Sequence, residues 1–242
     1  MGPSVARDVT LGWDTRDVSE RQNMSGTAEI YPDAELNPTK EDIAARYGGI
    51  KTLIGTARIV DPAGKVGIEI YFGGEDSSRQ RLIQLPVTYR ENEIDPEGTL
   101  TEMEHNILGK RFVTNALHDP VAVTEIIRTI VQGDDGAAHS DGPAPAFRLQ
   151  GSGDEPETTV EEAQIAEATR QRAVGTVTVN GEVLSYKLRM TNLPHPFRRG
   201  ETGYSTSRLH LTATPANAGS DTDSDDDALV IAELVLSDGL FN

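Results

Sequence analysis

The sequence predicts an α+β fold built from two units, each an antiparallel β-sheet with packed helices. Apolar residues alternate with other residues in several short segments, most clearly from Val66 to Phe72, and a period of two is typical of strands with one buried face. Helix start signals at Thr39 and Asp119 flank the first group of strands. The Asn180-Gly181 pair suits a two-residue hairpin turn, and because all connections are short we expect antiparallel pairing.

The first unit opens with a short helix, because Thr39 can cap it, Asp42 stands three residues later and Gly48-Gly49 can end it. A meander of strands is predicted next, over Leu53 to Val60, Val66 to Phe72, Ile83 to Tyr89, Leu100 to Leu108 and Lys110 to Thr114. Pro86 removes a ladder donor, which favours an edge or bulged position. Asp119-Pro120 then starts a helix whose apolar stripe ends before Gly133, and we expect this helix to lie across the sheet.

The second unit is predicted to be one helix and four strands. Thr159 with Glu162 has the spacing of a capping box and predicts a helix through about Arg172. The strands are expected at Ala173 to Val179, Glu182 to Met190, about Arg208 to Thr214, and Leu229 to Leu236. Residues 1–25 are polar and aperiodic and are interpreted as a flexible extension. Residues 133–157 are rich in Gly and Pro and are interpreted as a disordered linker between a domain at 26–132 and a packed second unit at 158–242.

Composition excludes several classes of function. The 22 Lys and Arg residues against 39 Asp and Glu give a net charge of −17, which argues against binding to nucleic acid or to an anionic membrane surface. Much of the acidic excess falls in two Gly/Ser/Asp-rich stretches, 133–162 and 221–227, which we expect to be solvated loops. The absence of cysteine excludes disulfides, zinc thiolate sites and thiol nucleophiles, and we expect a cytoplasmic protein with no metal site and no cofactor.

Several motifs in a fixed order resemble one known family. They are Asn37-Pro38-Thr39-Lys40, Ile59-Val60-Asp61-Pro62-Ala63-Gly64-Lys65-Val66-Gly67-Ile68-Glu69, Leu85-Pro86-Val87-Thr88-Tyr89-Arg90, Met103-Glu104-His105-Asn106-Ile107-Leu108-Gly109-Lys110-Arg111 and His118-Asp119-Pro120-Val121. Together they resemble a family of actinobacterial proteins described as maltokinase N-terminal cap-like. The resemblance covers Ala28 to Gln132, with a weaker echo from Val174 to Leu236, and implies a cap-like domain at residues 26–132.

The resemblance implies a function in α-glucan or trehalose metabolism. In maltokinases such a cap precedes a kinase-like body that phosphorylates maltose with ATP. Here Arg46-Tyr47-Gly48-Gly49-Ile50 replaces the family's tryptophan-bearing segment, and no catalytic-loop or metal-binding motif follows Val174 to Met190. We therefore expect a non-catalytic module that binds a protein partner or a carbohydrate.

Two alternative functions remain open. A hydrolase of unrecognised type would use Glu102 and Glu104 with His105 or His118, because paired carboxylates can serve acid and base roles. On a strand, however, Glu102 and Glu104 share one face and His105 lies on the other. His118 before Asp119-Pro120 is also explained as part of a helix start. The second alternative is a degenerate nucleotide-binding small lobe, with Lys187 in the position of a phosphate-binding lysine.

One loop is the first place to look for a ligand. His195 and Phe197 stand beside Pro194 and Pro196 and are followed by Arg198 and Arg199. Aromatic and guanidinium groups on a rigid loop can stack on a sugar or hold an anion. A purely structural loop is the alternative.

Overall fold

The computed structural model describes residues 26–77, 81–197, 209–216 and 227–238, so the predicted extension at 1–25 lies outside the described residues. Its strands in chain order are β1 Thr27–Ala28, β2 Leu36–Asn37, β3 Thr52–Val60, β4 Gly67–Gly74, β5 Ile83–Arg90, β6 Thr99–His105, β7 Gly109–Asn115, β8 Ala138–His139, β9 Phe147–Gly151, β10 Val160–Thr169, β11 Arg172–Val179, β12 Glu182–Arg189, β13 His195–Pro196, β14 Leu209–Pro215 and β15 Leu229–Ser237. Helix α1 is Lys40–Ile43 and continues as a π-helical turn over Ala44–Gly48. A 3₁₀ turn covers Ala116–His118, and helix α2 is Pro120–Gln132.

The first sheet contains six antiparallel strands in the order β2-β6-β7-β5-β4-β3. The predicted helix and meander are confirmed. Thr39 accepts the N–H of Asp42, and the Asp42 carboxylate accepts the N–H of Thr39, which completes the capping box. Gly49 ends the helical segment in the left-handed conformation, with φ at 69°.

The turn between β3 and β4 is held by the buried side chain of Asp61. Its carboxylate accepts backbone N–H groups from Ala63 and Lys65 at 2.9 Å and from Val66 at 3.0 Å. The backbone closes the same turn through the N–H of Gly64, which donates to the carbonyl of Asp61. Because one side chain satisfies three amides, it fixes the length of the turn and so the register of the hairpin.

Pro86 lies where β5 is paired on one side only, which agrees with the edge position that its missing N–H donor predicts. Strand β5 pairs with β4 over Ile83–Tyr89 but with β7 only over Val87–Arg90. The N–H of Gln84 points away from β4, towards the carbonyl of Asn192. Because N–H groups two residues apart point the same way, the nitrogen of Pro86 faces the side where β7 makes no ladder bond.

The second sheet has the order β10-β11-β12-β15-β14-β9, with β13 paired to β15 on the same edge as β12, and all of these pairings are antiparallel. The hairpin turn at Asn180-Gly181 is confirmed, with φ at 50° and 80°. The two predicted strands that follow it are confirmed as β14 and β15. Strands β1 and β8 form a separate two-stranded parallel ladder.

The helix predicted from Thr159 to about Arg172 is wrong, because this segment is strand β10. Its register against β11 shifts twice, between Glu161 and Gln164 and between Ile165 and Glu167. Each bulge adds a residue, so the more buried positions fall at Val160, Ala163, Ile165 and Ala168, a spacing of three, two and three. This spacing imitates a helical stripe. Glu162, expected to close a capping box, instead has φ at 50° in the first bulge.

The interpretation of residues 133–157 as a disordered linker is also wrong. The segment contains β9, whose Phe147 and Leu149 are buried in the core. Two glycines make close contacts with the end of α2: a Cβ at Gly151 would lie 2.0 Å from the carbonyl oxygen of Thr129, and one at Gly153 would lie 1.9 Å from that of Val131. Glycine here permits close packing, although the same composition is typical of linkers.

The acidic residues of this segment are not all on solvated loops either. Asp134 is 2% exposed and its Oδ2 lies 2.8 Å from Nη1 of Arg128 in α2. The second predicted acidic loop lies outside the described residues for all but Asp227. The prediction that these acidic residues lie on solvated loops is therefore wrong for Asp134. Its ion pair with Arg128 offsets the cost of burying the carboxylate.

Helix α2 lies between the two sheets and contacts strands of both. It packs on β9, β10 and β14 of the second sheet and on β3 of the first. One core cluster joins Ile70 and Phe72 of the first sheet, Ile126 and Ile130 of α2, and Leu211 of the second sheet. Strand predominates among the described residues, and an α+β class holds in broad terms. The packed helix expected for the second unit is absent from its described residues, since that segment is β10.

Gln84 joins the first sheet to strand β15 of the second sheet, at a gap in the pairing along one side of β15. Strand β12 pairs with β15 over residues 233–237, and β13 pairs with it at 229–230. In the gap, Nε2 of Gln84 donates to the carbonyl of Ile231 at 2.7 Å and to that of Thr191 at 2.8 Å. The side-chain amide thus replaces the missing strand.

Replacing Gln84 with methionine is expected to lower the free energy of unfolding by about 2 kcal/mol, because the Ile231 carbonyl would remain buried without a donor. Methionine keeps the volume, so lost packing would contribute little. Urea denaturation followed by circular dichroism measures the change. Gln164→Met, at an exposed position on β10, is the matched control. Equal stability of the two variants would contradict the role given to the Gln84 amide.

Candidate functional site

A buried polar cluster lies on the face of the first sheet that points away from α2. Glu69 on β4 is 1% exposed. Its Oε1 accepts a hydrogen bond from Nζ of Lys40 at 2.8 Å and lies 3.4 Å from Nε of Arg58. Its Oε2 accepts the hydroxyl of Tyr89 at 2.8 Å, and that hydroxyl is also hydrogen-bonded to Tyr71. Because Lys40 is the first residue of α1, the cluster fastens the helix to the sheet.

The electrostatics of the cluster keep it in one protonation state. Burial alone would raise the pKa of Glu69, but the Lys40 and Arg58 cations lower it to about 2. Burial raises the pKa of Tyr71 and of Tyr89 well above the ordinary value, and the Glu69 carboxylate acts in the same direction. At neutral pH the Glu69 side chain is therefore a carboxylate and the two tyrosines are neutral phenols, so these three groups are not poised to exchange a proton there.

The alternation in β4 predicted one buried face, and the structure buries both. Ile68, Ile70 and Phe72 join the core shared with α2. Tyr71 joins a second core on the opposite face, with Ile43, Leu85 and Met103 among its members. A charged side chain within a strand is usually solvent-exposed, so the sequence does not indicate Glu69 as a site residue. The cations that compensate it are Lys40 in α1 and Arg58 in the neighbouring strand β3.

A groove of about 560 Å³ lies beside the same helix. It is lined by Pro38, Asp42, Ile43, Ala45, Arg46, Tyr47 and Thr101. The guanidinium carbon of Arg46 lies 5.3 Å from the centroid of the Tyr47 ring, within the range of a cation–π contact. Arg46 is exposed, whereas Tyr47 is half-buried and packs against the second core. The groove thus offers the aromatic ring of Tyr47, the guanidinium donors of Arg46 and the carboxylate of Asp42.

The structure does not bring Glu102, Glu104 and His105 together. Glu102 and Glu104 are exposed, and Oε1 of Glu102 lies 2.7 Å from Nζ of Lys110. His105 is buried and its Nδ1 accepts the backbone N–H groups of the following turn, from residues 107 and 108, at 3.2 Å. Burial lowers the pKa of His105, and the nearby Arg111 cation acts in the same direction. A neutral imidazole holding a turn is the role that this geometry supports.

His118 has a carboxylate partner that the sequence did not indicate. Its Nδ1 lies 2.6 Å from Oδ2 of Asp95, not against Asp119. Burial raises the pKa of Asp95, but hydrogen bonds from His118 and from the backbone of Glu97 more than offset this and lower it overall.

Asp119 caps α2, as predicted, by accepting the N–H of Val121 at 3.0 Å. Asp119 is fully buried and also binds the guanidinium of Arg90 at 2.6 and 2.7 Å.

Three ligand candidates of the second unit, Lys187, His195 and Phe197, lie on the sheet face opposite α2. Lys187 is exposed on β12 and makes no hydrogen bond or ion pair with another described residue. The Phe197 ring stacks on that of His210, with centroids 5.0 Å apart. Burial lowers the pKa of His195; the nearby Glu233 carboxylate opposes this effect and Arg189 reinforces it. Arg198 and Arg199 lie outside the described residues.

A second concavity, also of about 560 Å³, lies on this face. It is lined by Thr169, Gln171, Arg172, Lys187, Arg189, Glu233 and Val235. Of the residues singled out in the sequence only Lys187 is among them. The register of β11 and β12 places Arg172 opposite Arg189, which was not visible while residues 159–172 were interpreted as a helix.

Two features are absent from the part of the chain that the structure describes. No group of three His, Cys, Asp or Glu side chains is arranged to hold a metal ion. None of the described helices has the length and apolar character needed to cross a membrane.

Comparison with known proteins finds a family match within the first unit. Residues 44–119 match the model of the maltokinase N-terminal cap domain. No curated protein matches the chain. The matched segment runs from the π-helical turn through strands β3 to β7 of the first sheet to Asp119, and so contains Ala45, Arg46, Tyr47 and Thr101 of the groove. Residues 44–119 of this chain are therefore similar to the maltokinase N-terminal cap domain.

Proposed function

We propose that this protein is a non-catalytic binding module of α-glucan or trehalose metabolism, and that it holds a short oligosaccharide in the groove beside α1. The observation that carries the proposal is the position of this groove. Four of its seven lining residues, Ala45, Arg46, Tyr47 and Thr101, belong to the segment that matches a cap domain of maltokinases. The name of that family directs the choice of ligand towards maltose and related glucans.

The chemistry of the groove supports a neutral carbohydrate. A sugar ring presents hydroxyl groups at its edge, which need both donors and acceptors, and C–H groups on its faces, which pack on aromatic rings. Arg46 supplies guanidinium donors, Asp42 supplies a carboxylate and Tyr47 supplies the ring. Arg46 is exposed, so it can leave its position over the Tyr47 ring without unfolding the helical segment.

A non-catalytic role is supported by what the ionisable groups of the first sheet already do. Glu69 compensates two cations, His105 accepts two backbone amides, and Asp119 binds Arg90 and caps α2. Glu102 is exposed and ion-paired with Lys110. The buried contacts serve the fold, so Glu69, His105 and Asp119 are not available as an acid or base facing the groove.

Isothermal titration calorimetry with maltose, trehalose and a soluble glycogen fragment tests the binding. Saturable binding to at least one of them is expected. Replacing Arg46 with alanine should weaken it about tenfold, which is the loss of one charge-assisted hydrogen bond. Arg81→Ala, an exposed arginine outside the groove, is the matched control and should leave the affinity unchanged. Absence of binding to all three carbohydrates would overturn the proposal.

Separate activity assays test the proposal that the protein is non-catalytic. The protein incubated with maltose, ATP and magnesium should form no phosphorylated sugar, and incubated with a glucan it should release no reducing ends. Turnover in either assay would refute this part, and loss of glucan cleavage on replacing Glu102 or His118 would restore the hydrolase alternative.

A further inference from the structure

We propose that the concavity on the outer face of the second sheet is a binding site for a phosphate monoester, held by Arg172, Lys187 and Arg189. Three cations gather here on one sheet face of a chain whose net charge is −17. The site is remote in sequence from the groove beside α1, so its failure and the failure of the oligosaccharide proposal are separate results.

The strand register brings the cations together. Arg172 on β11 pairs directly with Arg189 on β12. Opposite residues of antiparallel strands have Cβ atoms about 5 Å apart, and like charges in such a pair repel each other. Lys187 lies two residues before Arg189 on the same face, about 7 Å along the strand. An anion between them would remove this repulsion.

The carboxylates present at the site leave a positive charge uncompensated. Arg172 is ion-paired with Glu167 at the rim. Nη1 of Arg189 lies 3.7 Å from Oε2 of Glu233, which is beyond hydrogen-bonding distance. Lys187 has no ion pair with another described residue. Among the described residues, two carboxylates therefore face three cations, and the ammonium group of Lys187 has no partner there.

The donor set favours a phosphate over a neutral ligand. Two guanidinium groups offer planar forks of N–H donors, and an ammonium group adds a compact charge, a combination that matches the three terminal oxygens of a phosphate monoester. The side chain of Gln171 and the hydroxyl of Thr169 lie at the same concavity and can contact the organic part of the ligand. A volume of about 560 Å³ is in the range of sites for small molecules.

Titration calorimetry at low salt with inorganic phosphate and glucose 6-phosphate tests the site, with glucose as the neutral match. Both anions should bind saturably, glucose should not bind at this site, and added salt should weaken binding. Lys187→Met keeps the side-chain stem and should weaken binding of both anions about tenfold. Lys65→Met, at an exposed lysine in the β3–β4 turn, should have no effect.

A second readout locates the ligand. Chemical acetylation followed by mass spectrometry should show that glucose 6-phosphate slows modification of Lys187 and leaves that of Lys65 unchanged. Because Lys187 is exposed, Lys187→Met should fold normally, and its circular dichroism spectrum and thermal midpoint can verify this. No saturable binding by either anion, equal affinity of wild type and Lys187→Met, or equal protection of both lysines would each overturn the proposal.

Discussion

Replacing Glu69 with glutamine is expected to lower the free energy of unfolding at pH 7 by about 3 kcal/mol. The carboxylate is buried between Lys40 and Arg58, and removing its charge leaves both cations without compensation. The two cations are only partly buried, so they can regain some hydration, which keeps the loss near the lower end of the range for buried pairs. Urea denaturation followed by circular dichroism measures the difference.

The effect of Glu69→Gln should depend on pH in a defined direction. The folded pKa of Glu69 is about 2, below its unfolded value of about 4.5, so between these values the unfolded state binds more protons. The stabilisation by the carboxylate is complete above pH 4.5 and is lost as the pH falls towards 2. The stability difference between wild type and variant should therefore shrink over this window. Glu102→Gln, at an exposed glutamate, is the control; a Glu69→Gln difference that is constant from pH 7 to pH 3 would contradict the explanation.

Replacing Asp119 with alanine is expected to lower the free energy of unfolding by about 4 kcal/mol. Two losses combine, because Asp119 pairs through both carboxylate oxygens with Arg90 and also caps α2. Serine at this position retains an acceptor for the cap and removes the charge. Asp119→Ser should therefore recover about 1 kcal/mol relative to Asp119→Ala.

Asp33→Ala, at an exposed aspartate, controls for the loss of a carboxylate in general. Arg90→Met separates the two roles, because it removes the ion pair and leaves the cap in place. In the double variant Arg90→Met with Asp119→Ser, the two effects should be less than additive, since both remove the same pair. If the changes in the free energy of unfolding were strictly additive in urea denaturation, Arg90 and Asp119 would not be coupled, and the role given to their ion pair would be contradicted.

Much of the first sheet followed from the sequence because its signals are local. The capping box at Thr39 and the proline-initiated helix at Asp119 each occupy a few neighbouring residues, and the structure contains them where the sequence predicts them. The same is true of the Asn180-Gly181 turn. Local chemistry decides these elements, so no knowledge of distant contacts is needed.

The errors occur where distant contacts decide the structure. The bulges of β10 gave its buried residues a helix-like spacing, and only pairing with β11 shows that the segment is a strand. Gly151 and Gly153 lie in a Gly-rich stretch that is typical of a linker, but their lack of a side chain allows the chain to pack closely against α2. The cluster at Glu69 and the pair of Arg172 with Arg189 join residues from different elements. The sequence could name Lys187 as a candidate, but not the two arginines beside it.

The position of α2 between the sheets has a consequence for the limits of the family segment. That segment stops at Asp119, one residue before the helix begins, whereas Ile70 and Phe72 on its inner face are covered by the helix and by the second sheet. The stretch that matches the cap model therefore shares one hydrophobic core with residues outside the match. The boundary of the match runs through this hydrophobic interior, and a version cut at Asp119 would expose the apolar side chains of Ile70 and Phe72 to water.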